Sequence, residues 1–313
     1  MRREAMVEEG KVLNVVFSMD CLPAGSKGEV HGPPRWDAAA AAPLAFAEML
    51  DSLGFKATFF VAPEALGRLR STAEELRDAG CELGLLCHPQ LAGYQTYLGS
   101  YNYDRQREIV GFARVEWENE LGQAPACFRA GFFSANDYTF HVLCMEGFRQ
   151  GSCSLPGRLD HDQYSVWARS YPFPHHTDPL DRAAAGTMEF FEVPVTSDFE
   201  AASYMEYETY TPPHLRIEEP DLHDYARDLI LRQVARMSED EVPVKVIHFV
   251  TSNVIGWGQD DDPHGERLQN LCTTLREVAD AEGLGPRWRS LKELHEVRDD
   301  LLGVGLIPEP DEE

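Results

Sequence analysis

Four polar residues stand at or near the ends of short apolar runs: Asp20, His88, Arg129 and His248. A carboxylate and an imidazole can hold zinc or a similar divalent ion. An arginine can orient a carboxylate or a substrate, and a second imidazole can move a proton. Gathered at one mouth, the set has the layout of a metal-assisted hydrolase. Each member alone has a plainer reading. A strand-end aspartate often caps a turn, and a single histidine is often structural. The ordered set is more specific than its members.

Residues 155–186 add a second group. This stretch is rich in Pro, His, Asp and Arg and too long for a plain connector, so an excursion over the mouth is expected. It holds His161-Asp162 and then Pro174-His175-His176-Thr177-Asp178-Pro179. His175 or His176 can complete a metal site with Asp20 and His88, with Asp178 as the supporting carboxylate or base. Tyr164, Trp167, Tyr171 and Phe173 can wall a sugar ring, and Phe132 is a further aromatic candidate for substrate contact. A solvated polar loop with aromatics packed on the rim is the competing reading.

The elements that must position these residues alternate along the chain. Strands are expected at 12–18, 57–61, 82–86, 127–131, 148–152, 187–195 and 244–250. Helices are expected at 36–53, 63–70, 72–79, 104–121, 136–146, 222–237, 267–282 and 291–302, several of them ended by glycine. Strand–helix alternation repeated about seven times implies a parallel sheet covered by helices. An open doubly wound sheet and a barrel both satisfy it, and both put active residues at the C-terminal strand ends. No repeat or low-complexity linker divides the chain. One domain over 1–313 is expected, with 303–313 as an acidic tail.

Several pieces, in order, resemble the NodB homology domain of the polysaccharide deacetylases. They are Asp20 after an apolar strand, Lys56-Ala57-Thr58-Phe59-Phe60-Val61, Gly80-Cys81-Glu82-Leu83-Gly84 with His88-Pro89, Phe128-Arg129-Ala130-Gly131, and Glu192-Val193-Pro194-Val195. The resemblance spans roughly residues 12–295. It implies an α/β fold, a distorted (β/α) barrel of about seven parallel strands. It also implies a divalent metal, most often zinc, held by one Asp and two His. A second Asp would act as base, a late-strand His as acid, and an Arg would position them. The implied reaction is hydrolysis of an N-acyl, non-peptide C–N bond.

The chain departs from that pattern at three places. Ser18 or Met19 occupies the base position, and neither usefully accepts a proton at neutral pH. Leu86 stands where one branch places the first metal His. Cys87 is a soft substitute, but neighbours on a strand point to opposite faces. Aligned on Thr251-Ser252-Asn253, the acid position falls on Val250. His248 then either faces the site about 7 Å back along the strand or is a core histidine. A catalytically degenerate barrel that binds a glycan or small ligand without hydrolysis is therefore the alternative to an enzyme.

Composition bounds the partners. A net charge of −25, from 53 acidic and 28 basic side chains, argues against nucleic-acid and anionic-membrane surfaces. The charged start of the chain and the short run 12–17 give no secretory or spanning segment. Seven cysteines without a paired spacing read as reduced and buried. A cytoplasmic protein acting on a small molecule or carbohydrate is expected, with its oligomeric state open.

Overall fold

The computed structural model describes residues 9–200, 209–258 and 263–302. The predicted acidic tail, 303–313, lies outside them. The strands are β1 (Val12–Cys21), β2 (Ser26–Lys27), β3 (Val30–His31), β4 (Thr58–Val61), β5 (Glu82–Cys87), β6 (Phe128–Ala130), β7 (Gln150–Gly151), β8 (Leu159–Asp160), β9 (Ser165–Val166), β10 (His175–His176), β11 (Phe191–Glu192), β12 (Thr209–Tyr210), β13 (Val246–Ser252) and β14 (Gly285–Trp288). The helices are α1 (Trp36–Ser52), α2 (Pro63–Asp78), α3 (Tyr103–Leu121), α4 (Thr139–Met145), α5 (Leu222–Glu239), α6 (His264–Ala281) and α7 (Leu291–Leu302).

Nine strands form one curled sheet in the order β10-β11-β7-β6-β5-β4-β1-β13, with β14 also on β1. Every pairing is parallel except β10 on β11. The expected distorted (β/α) barrel is the observed fold. Between β13 and β11 the wall is completed by backbone outside named strands. Thr196 N–H donates to the His248 carbonyl, and Ile217 N–H to the Val250 carbonyl.

Alternation along β1 builds two cores. Leu13, Val15, Phe17, Met19 and Cys21 face the helices, where they meet Phe46 of α1, Leu66 of α2 and Leu275 of α6 in one buried cluster. Val16 turns the other way, into the barrel, and packs with Phe60, Leu86, Cys127, Phe191 and Val193. Period two on a strand makes this division obligatory. It sends Ser18 and Asp20 inward with Val16, and Met19 outward among apolar side chains. Of the two residues at the base position, Ser18 is therefore the one inside the barrel.

Several boundaries differ from expectation for local reasons. Residues 63–70 and 72–79 form the single helix α2, which Pro63 opens at a position where no N–H is needed. Expected strands 148–152 and 187–195 shrink to two residues each. The Glu192 carboxylate takes the N–H groups of Cys153 and Ser154, which ends that ladder. β14 was missed because its four residues include Pro286, and it sits at the sheet margin. The segment 155–186 is not a bare loop. It carries β8 and β9, which form a small antiparallel sheet with β12, and then the edge strand β10.

Candidate active site

A pocket of about 260 Å³ opens at the C-terminal ends of the strands. Asp20 from β1 and His88, just after β5, line it with Phe132, Arg158, Arg216 and Ser252. Strand ends place the first two there, since β1 and β5 run parallel through β4. The short turn after β6 shapes one wall. A Cβ on Gly131 would come within 2.2 Å of the His88 ring, so only glycine allows this approach. The next two residues, Phe132 and Phe133, have φ of 57° and 56°. Non-glycine residues avoid that region, and such strain gathers at functional sites. Its product is an aromatic edge contact: Phe132 meets His88 at 4.9 Å between ring centres and Tyr97 at 5.5 Å.

Beneath Asp20 lies a buried polar chain. Arg129 is 1% exposed and donates to Asp20 Oδ1 at 2.9 Å, to Ser18 Oγ at 2.9 Å, and to both Oγ and the carbonyl of Ser152. Its guanidinium also lies 4.2 Å over the Phe60 ring. Ser18 Oγ is 2.8 Å from His248 Nε2. His248 Nδ1 faces the Pro194 carbonyl at 3.2 Å, and a carbonyl only accepts, so Nδ1 carries the proton. Nε2 then accepts from the Ser18 hydroxyl, which in turn accepts from Arg129. Burial and the nearby Arg129 charge push the His248 pKa well below its usual value.

This geometry relocates two predicted catalytic residues. His248 is fully buried two layers below Asp20, level with Val16. It is a neutral core histidine, not a proton donor at the mouth. Arg129 does not line the pocket either. It is a positioning residue that fixes the Asp20 carboxylate from below.

His88 is held differently. Its ring is 6% exposed, and burial pushes its pKa down to about 4, against a partial pull upward from Asp20. Nδ1 is enclosed without a hydrogen-bond partner against Gly131. No hydrogen bond from a described residue reaches the ring, so Nε2 is the nitrogen left for the pocket. His88 is thus a neutral imidazole at physiological pH.

The remaining predicted residues divide between places. Phe132 lines the pocket. Trp167 does not: it is 1% exposed and its indole N–H is spent on the Phe133 carbonyl. Tyr164 is exposed and stands outside the lining, with φ of 53°. Asp178 closes a turn by accepting from the N–H groups of Leu180 and Asp181, so it is no base for this pocket. His175 is buried with Nδ1 on the Phe173 carbonyl. His176 belongs to another cavity, beside His295 and Asp299.

These placements decide whether a catalytic metal fits at the mouth. A hydrolytic zinc ion takes three protein ligands and keeps one position open. Asp20 and His88 are joined by no third His, Cys, Asp or Glu in a ligand trio among the described residues. Asp20 Oδ1 is already committed to Arg129. Leu86, on the same face as His88 and one step lower, fills its place with the apolar interior. The described residues of the mouth do not fit the expected zinc site. Among the described residues, the ligand trio is His176, His295 and Asp299.

Sequence reasoning missed Arg158 and Arg216. Arg158 pairs with Asp160 at 3.3 Å and keeps a buried Nε without a partner. Arg216 pairs with Glu218 at 2.7 Å. Both come from irregular segments, where neither periodicity nor a motif marks them.

No protein-family model and no curated protein matches the chain. Solved structures do. An allantoinase shares 12% identity at a TM-score of 0.55, over 96% of this chain and 93% of its own. A protein described as a probable polysaccharide deacetylase from Pseudomonas aeruginosa PAO1 shares 11% at 0.55, over 93% and 92%. A 4-alpha-glucanotransferase from Thermococcus litoralis shares 13% at 0.50, over 91% of this chain but 40% of that one. The fold is therefore the one that the polysaccharide deacetylases use. Proteins named for three different activities share it, so the activity must be argued from the site. No helix among the described residues is long and apolar enough to cross a membrane.

Proposed function

We propose that the chain hydrolyses a non-peptide C–N bond, an amide or N-acyl group, in a small oxygen-rich molecule such as a single sugar unit. The observation that carries this reading is the pairing of Asp20 and a neutral His88 in one mouth pocket, with Asp20 fixed from below by Arg129. Amide cleavage needs a base for water, a donor for the oxyanion and a proton for nitrogen. Asp20 takes a proton from water as the water oxygen bonds to the carbonyl carbon. His88 Nε2–H donates to the carbonyl oxygen as it gains charge. A neutral imidazole suits that task, because it donates without surrendering its own proton. When the C–N bond breaks, Asp20 returns its proton to the leaving nitrogen. Each proton is then accounted for, and no step passes through a metal.

Arg158 and Arg216 bear on the substrate. They stand at the wall with carboxylate partners and hold donors towards hydroxyl or carboxylate oxygens of a ligand. A volume of about 260 Å³ suits one small ring or a chain end rather than a run of polymer.

Turnover is tested with a panel of N-acetylated sugars and small ureides, followed by acetate or ammonia release. Asp20→Asn and His88→Ala are expected to lower kcat by roughly 100-fold or more, with KM moved much less. Ligand binding by calorimetry with no release from any of the panel would overturn hydrolysis. It would favour the second reading, a barrel that binds only. That reading is motivated by Ser18 and Leu86, which stand where chemistry would otherwise place a base and a ligand.

A further inference from the structure

We propose that His176, His295 and Asp299 form a binding site for one divalent transition-metal ion, on the side of the barrel away from the mouth. The three come from two elements. His176 lies in β10, the antiparallel strand at one edge of the sheet. His295 and Asp299 are four residues apart on α7, so they share one helix face. Their ligand atoms all lie within 4.8 Å of one another. The location is fixed by neighbours. His295 contacts Gln150, at the start of β7, and α7 begins where its Leu291 and Lys292 N–H groups donate to Glu82, at the start of β5. Asp20 and His88 lie at the opposite strand ends.

Both imidazoles are oriented as metal ligands are. His176 Nδ1 faces the Met188 carbonyl at 2.9 Å, which only accepts. His295 Nδ1 faces Gln150 Oε1 at 3.1 Å. The Gln150 amide cannot be turned over, because its Nε2 donates to the Ala126 carbonyl. Each Nδ1 therefore carries a proton, and each Nε2 is the free nitrogen. A second hydrogen-bonded layer of this kind accompanies most metal-bound histidines.

The two Nε2 atoms then point at one carboxylate. His176 Nε2 is 3.0 Å from Asp299 Oδ1, and His295 Nε2 is 3.3 Å from Oδ2. If both rings are neutral, nitrogen lone pairs face oxygen lone pairs, and the contact is repulsive. If both are protonated, two cations sit with ring centres 5.2 Å apart in a partly buried place. A divalent ion between the three groups would take a lone pair from each of them. Bonds of about 2.0–2.1 Å in a tetrahedron put ligand atoms about 3.3 Å apart, so small side-chain shifts from a set already within 4.8 Å would close it round an ion.

Two imidazoles and a carboxylate suit zinc, cobalt or nickel better than calcium or magnesium. Phe191 stacks on His295 at 5.3 Å and 6°, and meets His176 edge-on at 5.5 Å, which shields one side. The other side opens to a cavity of about 480 Å³ lined by Met188, Glu189 and Leu302, leaving a fourth position for water. The ion would clamp the last helix to the edge strand β10.

The test uses the full chain stripped with a chelator and titrated with cobalt(II) chloride. A visible absorption band saturating at one cobalt per chain, bleached by zinc, is expected. The unfolding midpoint should rise with it. His176→Ala and His295→Ala should each weaken cobalt binding by roughly 100-fold or more, while stripped variants unfold where the stripped wild type does. Asp299→Asn, at a half-exposed position, provides a milder variant should either alanine fail to fold. Asp20→Asn should leave the band unchanged. Absence of any band, a band that survives loss of both histidines, or one lost with Asp20 would each overturn the proposal.

Discussion

Replacing Arg129 by Met tests the buried polar chain directly, because the shape is kept while the charge and all donors go. Arg129 makes five hydrogen bonds, to Asp20, Ser18, His248 and twice to Ser152. Not all are lost at full cost. The Ser18 hydroxyl keeps His248 as its partner, and the Ser152 hydroxyl can rotate. What remains stranded is the Ser152 carbonyl and one Asp20 oxygen. A buried acceptor without a donor costs about 1–3 kcal/mol. Breaking a buried ion pair from one side costs about 3–5 kcal/mol. Asp20 keeps 19% of its side chain exposed and regains some water, so the lower end applies. A loss of about 3 kcal/mol is expected. For a chain of this size it corresponds to about 5 °C in Tm.

The double-mutant cycle with Asp20→Asn separates the ion pair from the rest. A coupling of about 1–2 kcal/mol is expected for a partly buried pair in one network. Urea unfolding of the four proteins at pH 7 measures it. Arg129→Met within about 1 kcal/mol of wild type, or a coupling below about 0.5 kcal/mol, would refute the reasoning. Asp20 would then be held by something other than Arg129, and its role as an oriented base would lose its support.

Three further outcomes follow from the same geometry. Gly131→Ala drives a methyl into the His88 ring, so catalysis should fall by roughly 10-fold or more while Tm drops by only a few degrees; wild-type activity in that variant would show that the ring is free to move. The Glu192 carboxyl is pushed up to about 7 by burial, against hydrogen bonds from Ser154 and Cys153. The folded chain thus binds that proton more tightly than the unfolded one, and the stability it contributes at low pH is lost as pH rises through about 7. Glu192→Gln removes this loss, so its stability relative to wild type should improve by about 3 kcal/mol between pH 4 and 8; a pH-independent difference in urea midpoints would contradict it. His88 is neutral above about pH 4, so kcat should show no limb near pH 6.5 that disappears in His88→Gln.

The fold was legible because its signal is periodic. The apolar run of β1 and the segment around Phe59 and Phe60 announce buried parallel strands, and glycines mark helix ends such as Gly122, which has φ of 68°. Asp20 and His88 were legible for the same reason: strand direction alone puts the last residue at the mouth. The face of a strand residue is equally predictable, but its depth is not. His248 shares its face with Val250 and Ser252, so sequence left it between site and core. Its partners Ser18, Arg129 and Pro194 settle the matter, and they are set by strand stagger, which no local pattern encodes. Arg158 and Arg216 come from irregular backbone, which has no period to read.

The histidines of 155–186 show how composition can be right about chemistry and wrong about place. A His-His pair in a polar stretch suggested ligands for Asp20. The excursion instead folds back through β8 and β9 and lays His175–His176 against β11 as an edge strand. There the alternation that sends Ser18 inward separates the two imidazoles. His175 is buried with its Nδ1 on Phe173, and His176 faces α7. The residue pair that completes its coordination, His295 and Asp299, lies more than a hundred residues later. A metal set split in this way leaves no motif in the sequence, only a helix face with two polar residues four apart. That is why chemistry at the mouth and ligands at the far side have to be tested as separate sites: Asp20→Asn should lower kcat by roughly 100-fold or more and leave cobalt in place, and His295→Ala should weaken cobalt binding and leave kcat in place.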